Sequence, residues 1–185
     1  MATTRTTSRF SPRPTTRAWA VRAAWGLVAS AAWWTVWVGG SAGCGPGANA
    51  CLDEPDTSLA PSFEADVLPI LRQSCGLSTS CHGNPSSSRN YLGPSPDSAL
   101  TPDDVALVLA DNVGVPSNAA PAMNLITAGD AAQSFLLYKI EDRLGCPELA
   151  CDGDCGDSMP PGNQLLPADA RRTIAAWIQA GAKAN

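Results

Sequence analysis

The chain has 185 residues, with 16 Gly, 16 Pro, seven Cys, six Trp and a single His, and a formal charge of −5 at neutral pH. The charge is unevenly divided: Arg5, Arg9, Arg13, Arg17 and Arg22 precede every acid, whereas the chain from Cys44 onward carries seven basic and seventeen acidic side chains, a balance of −10. This argues against a nucleic-acid or anionic-membrane surface for the folded part and favours a basic partner, or none recruited through charge; with one histidine, any Ser-His-Asp arrangement has to recruit His82.

The first segment, residues 1–43, joins an Arg- and Thr-rich lead to the apolar run Ala23 to Gly40. A positive lead, an apolar stretch and small residues after it read as an export signal. The rival reading is a retained membrane anchor, since the run is near the lower length for a span. The sequence SAGC at Ser41–Cys44 resembles a bacterial lipobox, with Ser41 where the pattern prefers Leu, and ANAC at Ala48–Cys51 offers an ordinary cleavage site. Either places the mature chain outside the cytoplasm, as a periplasmic protein or a membrane-tethered lipoprotein of a bacterial envelope, where disulfides persist. Residues 44–61, rich in Gly, Pro, Asn and Asp, read as a flexible tether, and residues 62–185 as an all-α domain.

The domain's first helix is expected in EADVLPILRQS, starting near Asp66 so that Pro69 falls harmlessly in its first turn. It leads into SCGLSTSCHG, Ser74 to Gly83, which places the only histidine directly after a cysteine. A Cys-His pair with another cysteine three residues before it would be the attachment signature of c-type haem. Here Ser78 occupies that place and the earlier cysteine is Cys75. Imidazole is a good axial ligand, and the bland alternative is a histidine in a surface loop.

TPDDVALVLADN is the second expected helix, with Thr101 as N-cap, Pro102 at its first position and Asp104 closing a capping box. Met123, followed by Leu125 and Ile126, reads as core. DAAQSFLLYKIEDRLG is the third, capped by Asp130 and ended by Gly145. Cys146, Cys151 and Cys155 then crowd ahead of Met159. In an exported protein they are expected to form disulfides that brace the methionine loop, rather than a metal cluster. The aspartates among them do not make a calcium loop, since Gly156 and Asn163 stand at required ligand positions. Met159, followed by two prolines, offers a thioether as a second axial ligand, or else fills a gap in the core. PADARRTIAAWIQAG is the fourth helix, from Pro167 to Gly181.

The order VLPILRQSCGLSTSCHG, SFLLYKIEDRLG and MPPGNQLLPADARRTIAAWIQAGA resembles the c-type cytochrome domain. More narrowly it resembles exported cytochrome c-like proteins of myxobacteria and planctomycetes, in which a Trp-Ile-x-x-Gly-Ala helix, here Trp177 to Ala182, closes the domain. The resemblance covers about residues 63 to 183. It implies a covalently attached haem c, with Cys81 as thioether donor, His82 as proximal and Met159 as distal iron ligand. Ser78 departs from the pattern. Cys75 is then a second thioether donor, a disulfide partner of Cys81, or a partner of another cysteine. Trp177 and the Leu and Ile residues of the first and last helices are expected to line the pocket.

The implied function is single-electron transfer to a basic redox partner, not substrate conversion. The alternative is a haem-free relative with Cys75 bridged to Cys81, acting as an envelope interaction or structural lipoprotein. Cysteine parity bears on this: with Cys44 lipidated six cysteines remain, and using Cys75 and Cys81 together leaves four to pair.

Overall fold

The structure is a computed structural model and describes residues 51–86, 90–162 and 164–185. The apolar run at 23–40 and both proposed processing segments, except Cys51 itself, lie outside the described residues.

Among the described residues every regular element is helical. A π-helical turn, Phe63–Val67, runs directly into α1 (Leu68–Ser74); α2 (Pro102–Asn112), α3 (Phe135–Ile140) and α4 (Ala168–Gln179) follow. Extended pairing is limited to isolated bridges among residues 113–134, so the fold is all-α. No helix among the described residues is long and apolar enough to cross a membrane.

The first helical stretch begins earlier than Asp66. Ser62 caps it, its hydroxyl accepting from the Ala65 N–H, and the Asp66 carboxylate accepts from the Ser62 N–H at 2.8 Å. Asn185 closes over the same end: its side-chain oxygen accepts from the Phe63 N–H at 2.9 Å, and the Ser62 hydroxyl donates to its carbonyl. Pro69 is the second residue of α1, where the π-helical turn gives way to the α-helix.

This stretch packs on α4. Phe63 stacks against Trp177 at a centroid separation of 5.0 Å, a geometry worth about 1 kcal/mol beyond the area it buries. Val67, Leu68 and Leu71 complete the layer with Ile174 and Ile178, and the Trp177 indole N–H donates to the Lys183 carbonyl at 2.9 Å. Met123 is buried in the same core. Helix α4 matches its expected span and stops where Gly181 adopts φ +106°, a conformation glycine enters without penalty.

Helix α2 also forms as expected, with the full Thr101–Asp104 capping box. Helix α3 is shorter than its pattern. Asp130 does accept from the Gln133 N–H, but the chain then turns. The N–H groups of Phe135 and Leu136 donate to the Asn124 and Leu125 carbonyls, and the Ser134 hydroxyl donates to the Asp130 carbonyl. Tertiary partners thus take the backbone groups that a longer helix would have used. At the other end Asp142 takes φ +54°, which stops the helix before Gly145.

From Cys51 onward the segment read as tether is fastened to the domain. Cys51 is disulfide-bonded to Cys146, Leu52 is buried, and the Cys51 N–H donates to the Glu148 carboxylate at 3.1 Å.

Candidate functional site

The residues between Cys75 and His82 fold into a compact turn at the end of α1. Cys75 ends the helix, its N–H donating to the Leu71 carbonyl at 2.8 Å. Cys81 and Gly83 both donate to the Ser78 carbonyl, and the His82 N–H returns to the Cys75 carbonyl at 3.1 Å. Two glycines make the turn possible. A Cβ on Gly76 would stand 2.6 Å from the Gly93 carbonyl oxygen, and one on Gly83 would stand 2.6 Å from that of Gly76 and 2.9 Å from that of Ser78. Gly76 therefore matters for close backbone approach.

The His82 ring is oriented from outside the turn. Its Nδ1 lies 2.7 Å from the Asn90 carbonyl oxygen. A carbonyl only accepts, so Nδ1 carries a proton, and in the neutral ring Nε2 is the nitrogen with a lone pair for a metal. Asn90 is itself tied to α2, its amide donating to the Asp111 carbonyl at 3.2 Å, and Asn112 reaches back to the Tyr91 carbonyl at 2.8 Å. The Tyr91 hydroxyl donates to Asp104 at 2.6 Å. Arg72 holds the next stretch through the carbonyls of Pro94, Ser95, Pro96 and Ser98.

Opposite this turn stands the methionine loop. The Met159 N–H donates to the Lys139 carbonyl at 2.8 Å, and the Met159–Pro160 peptide is cis. The Lys139 ammonium donates to the carbonyls of Cys155 and Asp157 and lies 5.3 Å from the Phe135 ring centroid. Burial pushes the Lys139 pKa down, while the nearby carboxylates of Asp157 and Asp154 work to keep it charged. Upstream, Cys151 is joined to Cys155. The cysteines ahead of Met159 are thus disulfide-bonded, as expected. Glu148 lies beside the Cys51 and Cys146 sulfurs, but these are bonded to each other, which removes them as metal ligands.

The two sides enclose one cavity of about 500 Å³, within the range of small-molecule and cofactor sites. Cys75, Cys81, His82 and Met159 all line it. Ser78 does not; its hydroxyl bonds to Ser80 and lies 3.5 Å from the Cys81 sulfur. Among the described cysteines, Cys75 and Cys81 are the two not in disulfides. Cys75 is buried, and desolvation, with a smaller contribution from Cys81, pushes its pKa up to about 11.

The remaining wall differs from expectation. Trp177 and the apolar residues of α1 and α4 are packed in the core behind it. The cavity is lined instead by Phe135, Leu136 and Ile140 of α3, with Leu92 and Leu125 from loops. Asn90 and Lys139 act here through main-chain and long-range bonds that no spacing motif announces. Two thiols, an imidazole with one free nitrogen and a thioether on an apolar wall suit a borderline-to-soft metal centre. No family model, no curated protein and no solved structure matches the chain.

Proposed function

We propose that the domain is an exported c-type cytochrome that carries single electrons on one covalently held haem. The observation that supports this is the convergence of Cys75, Cys81, His82 and Met159 on one mostly apolar cavity of cofactor size. Cys81 and Cys75 would hold the haem through thioethers, with His82 Nε2 and the Met159 sulfur as axial ligands. Bound there, the haem supplies a reversible one-electron change at its iron. The protein's part is to orient and exclude. The Asn90 carbonyl fixes the His82 tautomer and raises the basicity of Nε2. The α3 wall keeps water away, and the weakly donating thioether of Met159 favours the reduced state, raising the potential.

Cys75 takes the role that Ser78 vacates, because the tight turn carries its side chain to the cavity wall. The Cys51–Cys146 disulfide supports Cys44 as the lipidated residue, since Cys51's sulfur is already used. The domain then hangs from the bacterial envelope by a short tether. A negatively charged domain suits a basic redox partner.

The test is expression of the full chain with c-haem maturation machinery, followed by a reduced pyridine haemochrome spectrum. A covalent haem band that persists in acid-acetone is expected. Its absence, with a Cys75–Cys81 disulfide found by mass spectrometry, overturns the reading in favour of a haem-free envelope protein. Cys75→Ser then shifts the alpha band to that of haem with one unsaturated vinyl; an unmoved band removes Cys75 from the attachment site.

A further inference from the structure

Met159 belongs to no helix, so its place at the cavity wall has to be imposed from elsewhere. The two disulfides act upstream, at residues 146 and 151 to 155. From Cys155 to Met159 the Gly156 N–H donates locally to Asp154, and the described bonds to the rest of the domain converge on one residue of α3. The Lys139 ammonium takes the carbonyls of Cys155 and Asp157, and the Lys139 carbonyl takes the Met159 N–H. The third side of the ammonium faces the Phe135 ring, so a half-buried cation is surrounded by acceptors. Gly156 lets it come close: a Cβ there would lie 3.1 Å from the Lys139 nitrogen. Lys139 also lines the cavity, so the clasp and the thioether share one wall.

We propose that Lys139 is a positioning residue that clasps the 155–159 loop and thereby holds the Met159 sulfur at the iron; this rests on the haem reading above. The main-chain bond from Met159 sets the loop's distance from α3. The ammonium sets its tilt, by pinning two carbonyls on the approach to Met159. Charge-assisted bonds of this kind are about twice as strong as neutral ones. Without them the loop keeps one neutral bond to α3, and the sulfur leaves the iron for a larger share of the time.

The experiment uses the haem-loaded full chain as wild type, Lys139→Leu, Lys139→Met, Lys139→Arg, Gly156→Ala and the Lys139→Leu, Gly156→Ala pair. Pyridine haemochrome is recorded first: a wild type without covalent haem overturns the underlying reading and the ligand role with it. In haem-loaded protein, Lys139→Leu is expected to keep its haem. Its ratio of methionine-off to methionine-on iron should rise about tenfold, read from the ferric sulfur-to-iron charge-transfer absorption. Its potential falls too, but loss of a positive charge alone would do that, so the absorption decides. Lys139→Arg restores most of the absorption, because guanidinium still donates to the two carbonyls. Gly156→Ala weakens it in the same direction, by crowding the ammonium and by straining a backbone at φ +70°, so its effect counts for the clasp only where it is smaller in the Lys139→Leu background. Lys139→Met carries the test if Lys139→Leu does not accumulate. Haem-loaded Lys139→Leu or Lys139→Met with an undiminished absorption overturns the clasp while leaving the haem reading intact.

Discussion

The two sides of the cavity are built by different means. The Cys75–His82 side is local: one turn at the end of α1, shaped by main-chain bonds within it and by glycines that let carbonyls approach each other. The Met159 side is long-range: a loop that reaches the cavity because a lysine and two disulfides draw it there. A site assembled this way has one wall whose geometry follows from steric necessity and another whose geometry follows from cross-links. The two should fail differently when disturbed.

The largest effect is expected on the cross-linked side. Removing Cys51–Cys146 as a Cys51→Ala, Cys146→Ala pair opens a closed loop with a sequence separation of 95 residues. The chain-entropy relation gives a loss of about 4.7 kcal/mol, measured as a shift in the denaturant midpoint. Cys151→Ala with Cys155→Ala opens a ring with a separation of only 4 and should cost about 2 kcal/mol by the same relation. Equal losses from the two pairs would show that loop length is not what the disulfides control here.

On the local side the sharpest probe is Gly83→Ala. The added methyl meets two main-chain oxygens at under 3.0 Å, and neither is the end of a flexible side chain. The turn has to open, at a cost of about 3 kcal/mol, the upper end for overpacking, and haem attachment should fall with it. Gly153→Ala in the Met-side loop is the matched control. Nothing lies within 4 Å of a Cβ there, so only its φ of +89° opposes alanine, at about 1 kcal/mol. If the two substitutions cost the same, glycine serves conformational freedom on both sides and the contrast between the walls is lost.

Asn112→Ala tests how the local side is tied to its support. Asn112 is buried and donates to the carbonyls of Tyr91 and Val108. Losing the donor leaves the Tyr91 carbonyl without this partner, at about 2 kcal/mol. It also loosens the stretch that presents the Asn90 carbonyl to His82. Thermal unfolding gives the stability loss. In the haem-loaded protein, weakened histidine ligation at unchanged Met159 ligation would confirm that the two walls are held independently.

Much of the fold was legible where local rules decide. The Thr101–Asp104 box and the Pro167–Gly181 limits predicted α2 and α4 closely, because capping and glycine termination are fixed by adjacent residues. The third helix was overestimated because Phe135 and Leu136 donate to Asn124 and Leu125, a pairing with no signature in the segment itself. Cys75, Cys81, His82 and Met159 were picked out as candidates by their chemistry, and all four line one cavity. Its wall was misjudged, since helical periodicity shows which face of α4 is apolar but not that Phe63 already covers it. Lys139 escaped notice because a lysine in an amphipathic segment reads as solvent-facing; the Gly-rich, Asp-rich loop it clasps gives no spacing rule that points back to it.

The smallest effect concerns pH and separates the two walls without touching the cavity. On the local side, hydrogen bonds from Thr101 and Tyr91 hold the Asp104 carboxyl below its ordinary range. Its folded-state pKa is depressed, so the stability it lends is complete above the ordinary aspartate value and drains away as the pH falls through the folded one. Tyr91, pushed up mainly by burial and then by Asp104, adds the mirror effect: its contribution is complete below the ordinary tyrosine value and is lost at strongly alkaline pH. Tyr91→Phe should flatten both limbs of a stability-against-pH curve. The acid-limb change is no more than about 1 kcal/mol, because Asp104 is largely solvated and screened. On the Met side, the Lys139 pKa is lowered by burial, so its charge is lost earlier than an ordinary lysine's as pH rises. A lowered folded-state pKa means that the open loop binds the proton more tightly, so this group does not loosen the loop as pH rises. Tyr91→Phe leaves the methionine loop's own pH response as in wild type, while the variant's acid limb flattens. A Tyr91→Phe protein whose methionine-loop amide exchange differed from wild type at the same pH would show the two walls coupled through α2, against the independence that the separate hydrogen-bond sets imply.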